Sequence, residues 1–234
     1  MGAPDNTRTS ICNQALAHIK QRTIASLTEQ SEQARKCALF YDSSRRATLR
    51  SCDWNFATVH QQLAELGNVN AAQANPTIPS FQDIFPQWNY LYAYPAKCAR
   101  FRKIYNPQRP VMPDPYRDRT MGERWSERWA EVQEFKIGRS PITNVLAIAA
   151  NMEAAWGEFT FDVQDESQFD DMFIEGFAWK LATELALPLT ADKELLALCE
   201  QKFEQEMGEA KRKNGGEGTE RGPRHSAYES VRDY

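Results

Sequence analysis

The sequence is poor in the residues that build disulfide frameworks and metal sites. It has five Cys and three His among 234 residues. An odd number of cysteines cannot pair completely, and no two of them form a C-x-x-C motif. We therefore predict neither a disulfide framework nor a structural zinc site. Thiols that stay reduced are typical of a cytosolic environment.

Long apolar runs are also missing. No stretch approaches the roughly 18 residues that a membrane span requires. The first residues, MGAPDNTRTSICNQ, lack the apolar core of a secretory signal, so we expect neither a signal nor membrane association. With 41% hydrophobic and 26% charged residues, the composition is that of a globular protein. The length suits one large domain or two small ones.

Catalytic motifs that can be recognised by their spacing are absent as well. The sequence has no G-x-S-x-G, no H-E-x-x-H and no G-x-x-x-x-G-K-[ST]. A group of acids at 162–171 lacks the alternating ligands and central glycine of a calcium loop, and it suits the N-terminus of a helix. We predict no catalytic residue, cofactor or metal. The acids are Asp162, Asp165, Glu166, Asp170 and Asp171.

Charge is distributed unevenly, although the net charge is only -4. Residues 141–210 hold 3 basic and 15 acidic side chains, whereas residues 95–140 hold 11 basic and 6 acidic ones. Such asymmetry has three explanations: oppositely charged faces that meet between subunits, an acidic lining for a passing anion, or solvated helix faces.

The N-terminal third favours two helices. Apolar residues recur at helical spacing in 7–20, where Asn6 or Thr7 serves as the cap, and again in 31–52. A short connection predicts that the two helices form an antiparallel hairpin. Basic residues occupy the rest of the second helix, where they form a solvated, intersubunit or nucleic-acid-binding face: Arg35, Lys36, Arg45, Arg46 and Arg50.

The middle of the chain indicates loops and strands. Proline, Asn and Gln predict a loop at 68–87, and alternation predicts a strand at 99–105. Four prolines make 106–118 an exposed arm or insertion, and 121–137 suits a helix or a strand. Two apolar runs, 142–150 and 154–163, predict a β-hairpin, with a helix through 143–156 as the alternative.

The C-terminal part returns to helical periodicity. An apolar stripe predicts a helix at 171–186 that stops at Pro188, and Thr190 is predicted to cap a last helix. These two helices form a second hairpin. After Ala210 the chain becomes rich in Gly and charge, which predicts a flexible tail at 211–234 with a docking peptide at its end.

Three blocks of sequence resemble the head-to-tail adaptor proteins of tailed bacteriophages, the family of tail tubular protein A. The first contains N-x-A-L, I-x-S-L, a long helix with a spaced Ala and Tyr, and W-x-F-A. The second is Y-x-Y-P-x-x-C at 92–98, and the third is F-D-x-x-F followed by LATELALPLT, within 163–190. The residues of the first block are Asn13, Ala15, Leu16, Ile24, Ser26, Leu27, Ala34, Tyr41, Trp54, Phe56 and Ala57.

The resemblance implies a structural virion protein without catalytic activity. Such proteins form a ring, commonly of twelve copies, between the portal protein and tail components such as the nozzle, at the head-tail junction. Genomic double-stranded DNA passes through the ring without sequence-specific binding. The protein would be made in the host bacterial cytoplasm.

The resemblance also implies roles for two groups of residues. The C-terminal segment would dock onto the portal, and the acids at 162–171 named above are candidate channel-facing residues that let DNA slide. The candidate docking residues are Lys211, Arg212, Lys213, Arg221, Arg224, Tyr228, Val231 and Tyr234.

Taken together, the patterns predict an α+β protein, mainly α. A helical bundle from 7–57 and 170–210 and a β/loop region at 58–169, with a small antiparallel sheet or hairpin, form the core at 1–210. Residues 211–234 form an extended, flexible C-terminal arm. Two other functions stay open: a nucleic-acid-binding module that uses the basic regions 35–50 and 95–140, or a cell-wall-degrading virion enzyme that uses carboxylates.

Overall fold

A computed structural model describes residues 7–68, 87–106, 134–140 and 144–217. The fold is α+β and mainly α, as predicted. The chain divides into two compact units, which we call the helical unit, residues 1–56 with 165–234, and the β unit, residues 57–164. The helical unit is therefore built from both ends of the chain.

The first two helices begin where capping side chains satisfy free backbone N–H groups. Helix α1 spans Arg8–His18, and the Thr7 hydroxyl accepts a hydrogen bond from the Ser10 N–H at 3.2 Å. Helix α2 spans Glu32–Ser51, and the Ser31 hydroxyl accepts from the Ala34 N–H at 3.2 Å. Both helices confirm the predicted positions, because apolar periodicity and caps agree.

The last two helices differ from the prediction at their ends. Helix α3 spans Asp171–Thr190 and passes through Pro188, which the sequence predicted as its stop. A proline so close to the C-terminus removes only one N–H donor from the helix. Helix α4 spans Lys193–Glu217.

The start and the end of α4 also correct the prediction. The Asp192 carboxylate, not Thr190, caps α4, because it accepts from the Glu194 and Leu195 N–H groups at 2.9 and 3.1 Å. The helix runs past Ala210, where the flexible tail was predicted to begin. Lys and Arg at 211–213 are good helix formers, so the periodic core pattern ends before the helix does.

Helix α3 is the centre of the helical unit. Both α1 and α2 pack mainly against α3 rather than against each other, so the predicted α1–α2 hairpin is wrong as a packed pair. The reason is the wide apolar stripe of α3, which offers surface to both helices. The predicted hairpin of α3 and α4 is confirmed, since these two helices pack closely along their length.

The β unit contains seven described strands in two antiparallel sheets. A three-stranded sheet has the order β1-β7-β4, and a four-stranded sheet has the order β2-β3-β6-β5. Aromatic and aliphatic side chains from both sheets, among them Tyr92, Phe101, Ile148 and Phe159, form one core. The strands are β1 Thr58–Gln62, β2 Glu65–Asn68, β3 Tyr90–Ala93, β4 Cys98–Tyr105, β5 Phe135–Arg139, β6 Leu146–Ala150 and β7 Trp156–Phe161.

Both strands predicted within 142–163 are present, but they do not form the predicted hairpin. Strand β6 pairs with β3 and β5, whereas β7 pairs with β1 and β4 in the other sheet. The connection carries the buried Met152 and places Ala154 at a φ of 52°, which turns the chain from one sheet to the other. The alternative of a helix through 143–156 is also wrong.

Three other predictions fall wholly or mostly outside the described residues. They are the interior of the loop at 68–87, the proline-rich arm at 106–118 and the first part of 121–137. The strand predicted at 99–105 is confirmed as part of β4, and 135–139 is a strand.

Candidate functional site

Glu166 lies in a polar cluster with Arg8 and Tyr41 inside the helical unit. Its carboxylate accepts a hydrogen bond from the Arg8 guanidinium at 2.7 Å and one from the Tyr41 hydroxyl at 3.3 Å. The Arg8 guanidinium also lies 5.2 Å from the centre of the Tyr41 ring. The hydrogen bond to Glu166 raises the pKa of Arg8, and burial together with the nearby Glu166 charge raises the pKa of Tyr41. Glu166 is therefore engaged in joining the segment before α3 to α1 and α2.

Two more of the candidate acids act as local caps. The Asp165 carboxylate accepts from the N–H and the hydroxyl of Ser167 at 3.1 and 2.7 Å, and these bonds lower the pKa of Asp165. The Asp170 carboxylate accepts from the Met172 N–H at 2.8 Å at the start of α3. Both contacts match the interpretation of the acids as a helix N-terminus, where free N–H groups favour negative charge.

The remaining two acids lie in different units. Asp171 is an exposed residue in the first turn of α3. Asp162 belongs to the β unit and donates its backbone N–H to the Lys97 carbonyl at 2.7 Å. Among the described residues, no group of three or more His, Cys, Asp or Glu side chains is arranged to hold a metal ion.

The basic end of α4 holds the part of the candidate docking set that the structure describes. Lys211, Arg212 and Lys213 are exposed near the end of the helix. The neighbouring Asn214 fastens this end, since its carbonyl accepts from the Asn55 side chain at 3.4 Å and its amide lies 3.9 Å from the Cys52 sulfur. The other candidates lie outside the described residues: Arg221, Arg224, Tyr228, Val231 and Tyr234.

The basic regions are less available to a nucleic acid than the sequence suggested. Arg45, predicted on the polar face of α2, is fully buried, with Asp42 at 3.6 Å. Arg102 of β4 is 7% exposed and forms an ion pair with Glu158 at 3.3 Å. Helical spacing places Arg45 near the core side of α2, but the burial of a guanidinium there follows only from tertiary packing. Arg35, Arg46 and Arg50 are exposed as predicted.

Residues of the adaptor-like motifs meet in the helical unit. The Asn13 amide of N-x-A-L donates to the Ile24 carbonyl at 3.0 Å, and its oxygen accepts from the Ile24 N–H at 2.8 Å. Ile24 begins the I-x-S-L motif, so the two motifs are joined by a paired hydrogen bond. Sequence reasoning did not predict this contact. Its only signal was an Asn on the core side of α1 followed by a turn that needs backbone partners.

Aromatic residues of the other motifs surround Phe173. The Trp54 and Phe56 rings of W-x-F-A lie 5.1 and 5.2 Å from it, in edge-to-face geometry. The Phe169 ring contacts it at 4.8 Å, also edge to face. The first and third sequence blocks therefore share one aromatic core.

A hollow of about 160 Å³ in the β unit is lined by residues 61–64 and 93–96. This volume is below the roughly 300 Å³ at which small-molecule sites begin. In the part of the chain that the structure describes, no helix is long and apolar enough to cross a membrane. A scan against protein-family models and a search of curated proteins returned no match.

Proposed function

We propose that this chain is the subunit of a ring that joins the portal protein of a tailed bacteriophage to its tail. The observation that carries the proposal is the convergence of the adaptor-like motifs. Asn13 and Ile24 join two motifs by paired hydrogen bonds, and Trp54, Phe56 and Phe173 place two blocks in one aromatic core. Motif residues that contact each other are the expected result of a shared fold, whereas chance matches have no reason to meet.

The portal contact in this proposal is the C-terminal arm, which begins later than the sequence indicated. Helix α4 continues to Glu217, so the arm proper is 218–234. The exposed residues Lys211, Arg212 and Lys213 lie near the base of this arm and suit an acidic surface on the partner.

The acidic lining in this proposal is narrower than the five acids that the sequence offered. Glu166, Asp165 and Asp170 are engaged in hydrogen bonds within the helical unit. Asp171 is exposed in the first turn of α3, and of the acids in this unit it is the one best placed to face passing DNA. Like charge along a channel lets DNA slide, because a basic lining would bind the phosphates and retain the DNA.

Light scattering of the chain with the portal protein of the same phage tests the proposal. We expect a complex with one ring of this chain for each portal. Removal of 218–234 is expected to weaken that complex strongly, and K211Q/R212Q/K213Q to weaken it in a salt-dependent way. The triple variant R35Q/K36Q/R46Q removes the same charge from α2 and is the matched control. A chain that never joins the portal would overturn the proposal.

The same variants distinguish the nucleic-acid alternative. If the monomer binds duplex DNA with a steep salt dependence, and R35Q/K36Q/R46Q abolishes that binding, the chain is a nucleic-acid-binding module. Retention of DNA by the assembled ring at physiological salt would also contradict the sliding channel.

A further inference from the structure

The four-stranded sheet of the β unit ends in two strands that have no second strand partner among the described residues. Strand β2 lies at one edge and β5 at the other, with β3 and β6 between them. All neighbours are antiparallel, so β2 and β5 run in opposite directions. An open edge presents backbone N–H and C=O groups that a further strand can bind.

Hydrogen bonds show which backbone groups of β5 face outward. The Ser140 N–H donates to the Val145 carbonyl at 2.8 Å, so these two residues face each other across the β5–β6 pair. In antiparallel pairing, backbone groups point alternately towards and away from the partner strand. The backbone groups of Phe135, Ile137 and Arg139 therefore point away from β6, towards the open edge.

The same reasoning applies to β2. The Ala93 N–H donates to the Ala64 carbonyl at 2.8 Å, so Ala64 points towards β3. The next residue, Glu65, pairs with Tyr92 and presents its backbone groups to the outside. Both edges thus offer outward-facing backbone groups in strands of similar length.

Side chains at the two edges are complementary on one face of the sheet. The pairs Glu65–Tyr92, Tyr92–Ile148 and Ile148–Ile137 place Glu65 and Ile137 on the same face. Arg139, two residues from Ile137, shares this face. Ile137 is 41% exposed, and Glu65 and Arg139 are exposed. One edge therefore carries a carboxylate where the other carries an apolar residue and a guanidinium.

The geometry points to a second copy of this chain as the occupant: β5 of one copy pairs antiparallel with β2 of the next. Rotation about an axis along the strands keeps every β2 in one direction and every β5 in the other, so each new junction is antiparallel like the rest of the sheet. The contact is heterologous, and such contacts generate closed rings. This inference rests on the proposed ring and deepens it by naming the surfaces that join its subunits.

Disulfide trapping in the assembled ring tests the edge pairing. We expect E65C/I137C and E65C/R139C, in a C98S background and oxidised with diamide, to give a ladder of covalent oligomers on denaturing gels. Within one copy the two edge strands are three spacings of about 4.8 Å apart, beyond the ~7 Å limit between the Cα atoms of a disulfide. Only neighbouring copies can form the bond. E65C/K136C is the matched control, because Lys136 lies on the opposite face.

Charge exchange gives a second measurement that needs no cysteine. R139E and E65R are each expected to reduce the fraction of chain in rings, and the double variant to restore it. A wild-type ring in which neither cysteine pair exceeds the control would overturn the edge pairing and leave the proposed function intact. A wild-type chain that forms no ring, alone or with the portal, would overturn both.

Discussion

In the helical unit, segments more than a hundred residues apart meet through aromatic rings and side-chain hydrogen bonds. Phe173 contacts Trp54 and Phe56, and Glu166 contacts Arg8 and Tyr41. In the β unit, backbone pairing between strands does most of the joining, and two strand edges stay open among the described residues. The first unit closes on itself, whereas the second retains groups that can bind a further strand. We interpret the helical unit as the anchor of the fold and the β unit as the place where copies join.

The largest test of this comparison removes one aromatic ring from each core. F173A is expected to cost about 3–5 kcal/mol, because Phe173 is fully buried among four other rings. F159A makes a comparable cavity between the two sheets. Urea denaturation followed by far-UV circular dichroism is expected to show early loss of helix in F173A only. Equal loss of helix in both variants would mean that the two units unfold as one.

The same substitution at two glycines compares the stiffness of the two cores. A Cβ at Gly157 would lie 2.6 Å from the Phe101 ring, which is held between the sheets. A Cβ at Gly176 would meet only the flexible end of Met207. We expect G157A to cost about 1–3 kcal/mol through overpacking. G176A is expected to stay near wild type, because alanine gains roughly 1 kcal/mol of helix propensity. Thermal denaturation of both variants measures the difference, and equal losses would contradict it.

The paired hydrogen bond of Asn13 gives the next largest effect. N13A leaves the N–H and C=O groups of Ile24 without their partner and is expected to cost about 1–3 kcal/mol. N13D keeps the acceptor for the Ile24 N–H and loses only the donor, so its loss of stability should be smaller. Chemical denaturation measures both variants. If N13A proves neutral, the contact does not join the two motifs energetically.

The smallest expected effect is a pH dependence in the helical unit. The His18 ring stacks on Trp179 with 3.6 Å between ring centres, and burial lowers the pKa of His18. The unfolded chain then binds a proton at higher pH than the folded chain does. The stability linked to His18 is therefore complete above about pH 6.5 and is lost as the pH falls towards the folded pKa.

Melting temperatures at about pH 7.5 and 5.5 measure this effect. H18F keeps an aromatic stack without a proton site, so its melting temperature should fall less on acidification than that of wild type. If both proteins lose the same amount, other groups account for the acid sensitivity.

Helix positions were predictable because their signals are local. Thr7 and Ser31 cap α1 and α2, and apolar residues recur three and four positions apart within each helix. The ends of α3 and α4 were less predictable. The stop at Pro188 assumed that a proline always ends a helix, and the boundary at Ala210 assumed that a helix ends with its apolar pattern. Tertiary contacts at Asn214 sustain the last turns.

Candidate site residues were predictable as residue types but not as partners. The acids at 162–171 were recognised as a helix N-terminus, which the caps made by Asp165 and Asp170 explain. The contact of Glu166 with Arg8 joins residues 158 positions apart, and no local pattern reports such a pair. The burial of Arg45 was missed for the same reason.

The sequence by itself determined the helix and strand content, the capping residues and the motif residues on the core side, because these depend on neighbours within a few positions. Only the tertiary structure decided that α1 and α2 share α3, and that β6 and β7 belong to different sheets. Strand pairing and helix docking depend on which apolar surfaces exclude water together, and that choice is made between segments distant in sequence. The two open edges of the β unit follow from that choice.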